Sequence, residues 1–385
     1  MNTRLRASVA VFILSLMTIP AFCAAYKPAS QDEVLLHVDT AQRQARMNLH
    51  RTVDRNDPQS VIEAAGNFVA LGRAQHDERF FGYASAILQP WHNDAHAPTG
   101  IVLLHADIAQ YQHRFGDALN TLDQLVAREP NYADALLMRA AIRMSQGKPR
   151  EARQDCQRLF SLREIFAATV CNAQAASLNG KLSPSYRLLA LQIERGAIDR
   201  QNTKVVQQLA WAHGVLAEMA ERLGDFAAAE RELHTALDLS PVDFASRLQL
   251  CDLLLQSQRP REALQLIDAL SPSDPILLRR ALAAKQIADP VKAKETLITW
   301  QSAVERSTQL GVTLHVRELA RGQLELLNSP SLALQSALVN WQVQREAIDA
   351  RLLADAARAA HDSAALKQVR DWQTDLHFED ARLAL

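Results

Sequence analysis

The sequence predicts an all-α, right-handed solenoid of about eight or nine antiparallel helix pairs, and three observations carry that prediction. Small residues recur at the length of one helical hairpin. Ala106 and Ala140, Ala118 and Ala152, Leu122 and Cys156, and Leu125 and Leu159 lie 34 positions apart, as do Ala229 and Ala263, Leu233 and Ile267, and Ala236 and Leu270. Glycines keep step with the alanines: Ala140, Ala173 and Ala217 advance by 33 and then 44, and Gly147, Gly180 and Gly224 advance identically. Composition agrees, since 48% hydrophobic residues with 5% aromatic residues and 12 glycines in 385 suit alanine- and leucine-rich helices.

Taken in chain order, residues 1–25 read as an address. Arg4 and Arg6 precede the apolar run VAVFILSLMTI, Pro20 ends it, and AFCAA supplies the small residues of a secretory signal peptide cleaved after Ala25. A lipid anchor on Cys23 would need a small residue before it, where the chain has Phe22. The mature chain is therefore expected to be soluble in a periplasmic or secreted setting, with no integral membrane segment.

Residues 26–98 form an N-terminal arm and a degenerate helical repeat. SVIEAAGNFVALGR and DERFFGYASAIL make a helical pair, with Gly82 as its expected small crossing residue. His92, Asp94 and His96 carry metal-binding atoms, but Pro90 and Pro98 bound a polar loop, and no metal is expected.

Residues 99–308 hold the clear repeats. Two antiparallel helices approach closely only where side chains are small, so Ala217, Ala220 and Ala229 mark crossings. Gly147, Gly180 and Gly224 fall where a first helix stops in a left-handed residue, and Pro130 and Pro241 close second helices. Ser185 stands where alanine is expected, and Ala263 to Ala293 is a step of only 30.

Residues 309–385 continue as degenerate repeats. WQVQREAIDARLL from Trp341 and WQTDLHFEDARLAL from Trp372 echo each other at 31 residues, with a partial copy at Trp300. These tryptophans lie in apolar helical stripes and are expected to plug seams between hairpins.

On these residues the chain resembles the tetratricopeptide repeat family, most clearly in AWAHGVLAEMAERLGDFAAAERELHTALDLSP at 210–241 and in residues 99–132, which end in LVAREPNY. The resemblance implies a concave surface lined by first helices that binds protein partners. It places Leu103, Asp107, Gln110, Tyr111, Leu137, Met144, Gln174, Trp211, Glu218, Glu221, Arg222, Asp252 and Gln256 near that groove. The lysine and asparagine pattern by which some relatives hold a C-terminal carboxylate is absent: Leu103 with Asp107, Leu137 with Ala141, and Gly214 with Glu218 occupy those sites.

Export makes a disulfide the first reading for the cysteines after Cys23. Cys156 on a second helix and Cys171 on the next first helix flank the turn near Ser161–Glu164 at similar heights, so they are expected to pair. Cys251, at the site equivalent to Ala217, is expected to be a buried, inert thiol.

A net charge of -1 removes the electrostatic case for nucleic acid. Gly147-Lys148 and Gly180-Lys181 lack the rest of a phosphate loop, and HExxH, GxSxG and GxGxxG do not occur. No catalytic residue and no cofactor is expected. The sequence reads as a noncatalytic exported scaffold or adaptor in an envelope complex. Two other readings stay open: a helical enzyme acting on peptidoglycan or polysaccharide with the solenoid as its shell, and a subunit of an exopolysaccharide or outer-membrane assembly machine. A dense cluster of Glu, Asp or His in a closed cleft would favour the enzyme, and an open groove would favour the scaffold.

Overall fold

The computed structural model describes Ser30, residues 53–75, 77–92, Asp94, and residues 96–196, 201–309 and 315–383. The signal reading over 1–25, with Cys23, lies outside the described residues. Among the described residues there are eighteen α-helices and no strand. They pair into nine hairpins. The first five are α1 (Pro58–Gln75) with α2 (Glu78–Leu88), α3 (Thr99–Tyr111) with α4 (Phe115–Arg128), α5 (Ala133–Ser145) with α6 (Pro149–Ser161), α7 (Ile165–Ser177) with α8 (Leu182–Arg195), and α9 (Thr203–Leu223) with α10 (Phe226–Leu239). Then come α11 (Phe244–Gln256) with α12 (Pro260–Ile267), α13 (Asp274–Ile287) with α14 (Pro290–Gln309), α15 (Val316–Glu325) with α16 (Pro330–Val343), and α17 (Ala347–Ala359) with α18 (Ser363–Leu376).

Local chemistry sets the helix ends. Asp225, Asp243 and Asp362 each accept a hydrogen bond from the backbone N–H three residues on, which supplies one of the otherwise orphaned donors of α10, α11 and α18. Prolines open α6, α12 and α16, where a missing N–H costs nothing. α4 and α10 end two residues before Pro130 and Pro241. The irregular steps also have local causes. α9 runs for 21 residues where its neighbours have 13 or 14, which stretches the unit to 44. α12 stops after 8 residues, which shortens the step that follows Ala263.

Hairpin crossings are dry and tight. Ala118, Ala140, Ala152, Ala217, Ala229 and Ala263 have no exposed surface, so a larger side chain at any of them would overpack at about 1–3 kcal/mol. Ser185, at an alanine site, is buried too. The first hairpin departs from expectation. Gly82 is exposed with open space around it, and the small crossing residue is Gly72, where a Cβ would come within 2.6 Å of the Phe81 ring.

The tryptophans fill seams. Trp300 on α14 is buried over Gly322 on α15, which has no room for a side chain. Trp341 meets Trp372 edge-on at 5.3 Å, and Trp372 packs on Phe378. Cys156 and Cys171 form a disulfide with Cα atoms 5.4 Å apart, tying α6 to α7. Cys251 is free and buried, and burial pushes its thiol up to about 12, away from the reactive thiolate.

The array coils tightly enough that its second superhelical turn rests on its first. The turn of one hairpin meets the entry of a hairpin six or seven places later. Glu78, at the start of α2, reaches His315 before α15 at 3.4 Å. The Ser145 carbonyl accepts the Arg345 N–H, and the Ser145 hydroxyl donates to Glu346, both between α16 and α17. Glu379 accepts the Leu182 N–H at the start of α8, and the Arg222 carbonyl accepts the Ala381 N–H. Residues 377–383 thus sit on the fourth and fifth hairpins, with Phe378 and Leu383 buried.

Candidate functional site

The bore of this double turn is not filled. A cavity of about 1320 Å³ remains, walled by first helices from both turns: α3, α5, α7, α9, α11 and α13 on the lower, α15 and α17 on the upper. Its apolar surface comes from Leu137, Met138 and Met144 on α5, Trp211 on α9, Phe244 and Leu248 on α11, and Ile348 and Leu352 on α17. Nine carboxylates and six arginines line the same space.

Five of those carboxylates are hydrogen-bonded to arginine. Asp107 takes Arg73. Asp252 takes Arg279 and, at 2.6 Å, Arg321, which also holds Glu325 at 2.7 Å. Glu346 takes Arg317 at 2.6 Å, and Glu221 takes Arg351 at 2.5 Å together with Arg382. Burial opposes the charge on Asp252 and Glu346, but their arginines outweigh it, and both carboxyls stay below the usual range.

Glu218 is different. Its nearest cation is Arg222 at 3.6 Å, and among the described residues it makes no hydrogen bond. Arg222 is itself fully buried and directs its N–H groups to the Ser177 hydroxyl at 3.2 Å, the Ser177 carbonyl at 2.6 Å and the Glu379 carbonyl at 3.1 Å, with Phe378 4.3 Å below its plane. Burial therefore pushes the Glu218 carboxyl up, Arg222 offsets this only in part, and Glu346 and Glu221 add to it. About a third of its side chain, 32%, opens into the cavity.

Of the thirteen groove residues read from the sequence, the structure sets ten on this wall: Asp107, Gln110, Leu137, Met144, Gln174, Trp211, Glu218, Glu221, Asp252 and Gln256. Three are elsewhere. Tyr111 lies flat on Phe81 at 3.7 Å in the seam with the first hairpin, where burial pushes its phenol up to about 12. Leu103 is half-buried against the core of the second to fourth hairpins. Arg222 clasps residues 377–383 instead of facing a ligand. Helix register fixes which face a residue occupies, but not whether its side chain turns to the bore or the neighbouring seam.

The upper wall was not foreseen from the sequence. Arg317 and Arg351 are 34 apart, and Asp349-Ala350-Arg351-Leu352 recurs as Asp380-Ala381-Arg382-Leu383 at 31, which is the signal that could have found it. The repeated motif makes a ladder, with Asp349 taking Arg317 at 2.6 Å and Asp380 taking Arg351 at 2.8 Å.

Near the first hairpin, Asp94 accepts the His96 backbone N–H in a turn, and His92 packs against His105 at 5.4 Å. Among the described residues, no three His, Cys, Asp or Glu side chains converge as metal ligands, and no helix is long and apolar enough to cross a membrane.

Comparison with known proteins follows the same lines. Family models described as tetratricopeptide repeat match residues 103–161 and 220–287. The Cut9–Hcn1 hetero-tetramer of the APC/C is similar in structure, with 13% identity and a TM-score of 0.52, covering 88% of this chain and 65% of that one. A tetratricopeptide repeat protein from Parabacteroides merdae shares 16% identity over 67% of this chain and 99% of its own, with a TM-score of 0.37. Human IFIT1, as a dimer with PPP-AAAA, shares 13% over 83% of this chain and 73% of its own, with a TM-score of 0.47. No curated protein matches the sequence. Over residues 103–161 and 220–287 the chain thus carries tetratricopeptide repeats, and its described hairpins have the architecture of a solenoid of such units.

Proposed function

We propose that this protein is a noncatalytic scaffold that holds a segment of a partner protein inside its bore, as part of an exported envelope complex. The observation that carries the reading is the 1320 Å³ cavity. It exceeds the roughly 300–1,000 Å³ of a small-molecule site, and large apolar side chains stand in its wall where a solenoid binds chains. Arg4, Arg6 and the apolar run after them support export, as does the Cys156–Cys171 bond, which suits an oxidising compartment.

The test is crosslinking in the native envelope with a photoreactive group at Met138, followed by mass spectrometry. Discrete protein adducts that disappear when Ala141→Trp fills the cavity are the expected result. Adducts indifferent to Ala141→Trp would remove the cavity as the binding site.

One observation favours a second reading. The cavity is rich in carboxylates, and two of them are pushed apart, Glu218 upward and Glu346 downward, as in an acid and base pair. Release of soluble fragments from peptidoglycan or polysaccharide, lost in Glu218→Gln, would establish the enzyme instead.

A further inference from the structure

The cavity that serves as the binding site in the reading above has a charge imbalance that its own walls do not resolve. Nine carboxylates face six arginines, and each of those arginines already contacts a carboxylate within 4 Å. The surplus is negative and collects on groups without an arginine hydrogen bond, Glu218 first among them. Replacing Arg222 as its partner from within the protein is not open. That guanidinium is committed to Ser177 and Glu379, and turning it toward Glu218 would strip the buried Ser177 carbonyl and the part-buried Glu379 carbonyl and release residues 377–383.

From this geometry we infer that the segment held in the bore is basic and amphipathic, with an arginine or lysine paired to Glu218 and apolar side chains against Trp211, Phe244 and Met138. A cation at Glu218 would bring a positive charge to a carboxylate that burial disfavours, and an arginine would supply the missing hydrogen bonds in paired form. The apolar patch accounts for the rest of the occupant. Trp211, Phe244 and Met138 are only half-buried, as are Leu137, Leu248 and Ile348 beside them, so the wall offers a continuous apolar surface. An acidic segment would add like charge to a site already in surplus, and a neutral one would leave Glu218 with only the 3.6 Å contact to Arg222 and no hydrogen-bonded cation. The same surplus argues against nucleic acid, whose phosphates need the opposite sign.

The test uses the full chain and three short fluorescein-labelled peptides in which leucine alternates with arginine, serine or glutamate, followed by fluorescence anisotropy. The arginine peptide is expected to bind roughly tenfold tighter than the serine peptide and the glutamate peptide not at all. Glu218→Gln, which keeps the shape of the side chain, is expected to weaken the arginine peptide about fivefold and leave the serine peptide unchanged. Ala141→Trp, with Gln174→Trp as a second blocking variant should the first not fold, is expected to abolish binding, which separates the cavity from the outer surface.

Binding of the glutamate peptide as tight as that of the arginine peptide overturns the inference. So does arginine-peptide binding that neither Glu218→Gln nor a blocking variant alters. If native crosslinks vanish on Ala141→Trp while the three peptides bind alike, the bore remains the binding site and the basic occupant is wrong.

Discussion

Eight of the nine hairpins turn through a single left-handed residue, yet only three of those residues are glycine. Gly147, Gly180 and Gly224 have φ of 72°, 70° and 82°, while Gln258, Ala288, Asn328 and His361 hold 58°, 60°, 48° and 56° without glycine's freedom. The difference lies in what stands above the turn. The four non-glycine turns are exposed. The three glycines are the edge on which the second superhelical turn rests: a Cβ at Gly147 would come within 3.0 Å of Trp372 and Arg345, and one at Gly180 would meet His377 at 3.0 Å. His113, in the turn of the second hairpin, faces the upper layer through its side chain, where burial and then Arg317 lower its pKa. Backbone geometry therefore permits glycine at all eight turns, and close contact between distant hairpins selects it at Gly147 and Gly180, while Gly224 meets only an ordinary contact with Ala381.

The comparison breaks first at its strongest anchor. Arg222→Leu leaves the Ser177 and Glu379 carbonyls without a donor and should cost about 3 kcal/mol. Hydrogen exchange over residues 377–383 should rise with it, and unchanged protection there would show that the clasp is unimportant.

Next comes Gly147→Ala, expected to cost about 2–3 kcal/mol in a urea melt, because the strain of a left-handed alanine adds to the collision with Trp372. Gly224→Ala separates the two terms. Its Cβ would lie 3.4 Å from Ala381, an ordinary contact, so only the backbone strain of about 1 kcal/mol should appear. Equal losses at positions 147 and 224 would mean that stacking of the two layers adds nothing.

The smallest effect is expected at Gln258→Gly. Relief of left-handed strain is offset by the freedom glycine gains when unfolded, leaving stability within about 0.5 kcal/mol. A large gain there would show that the exposed turns carry more strain than their contacts suggest.

Most of the local grammar of this chain was written in its residues, the exception being the first hairpin, where Gly72 and not Gly82 marks the crossing. Crossing alanines, turn glycines, closing prolines and the Cys156–Cys171 pair all depend on contacts within one hairpin or between adjacent ones, so a period near 34 predicts them. Ten of thirteen groove positions were legible for the same reason, while Tyr111, Leu103 and Arg222 turned on a choice between bore and seam that depends on the neighbour each side chain meets. Stacking of one superhelical turn on the other, and the cavity between them, came only with the tertiary structure. Each hairpin adds a small rotation, and six must accumulate before Ser145 meets Glu346, 201 residues away, and about five before Arg222 meets Glu379, 157 away. Nearest-neighbour periodicity carries no record of that sum, so the sequence by itself determined the unit, and the packing of distant units decided what they enclose.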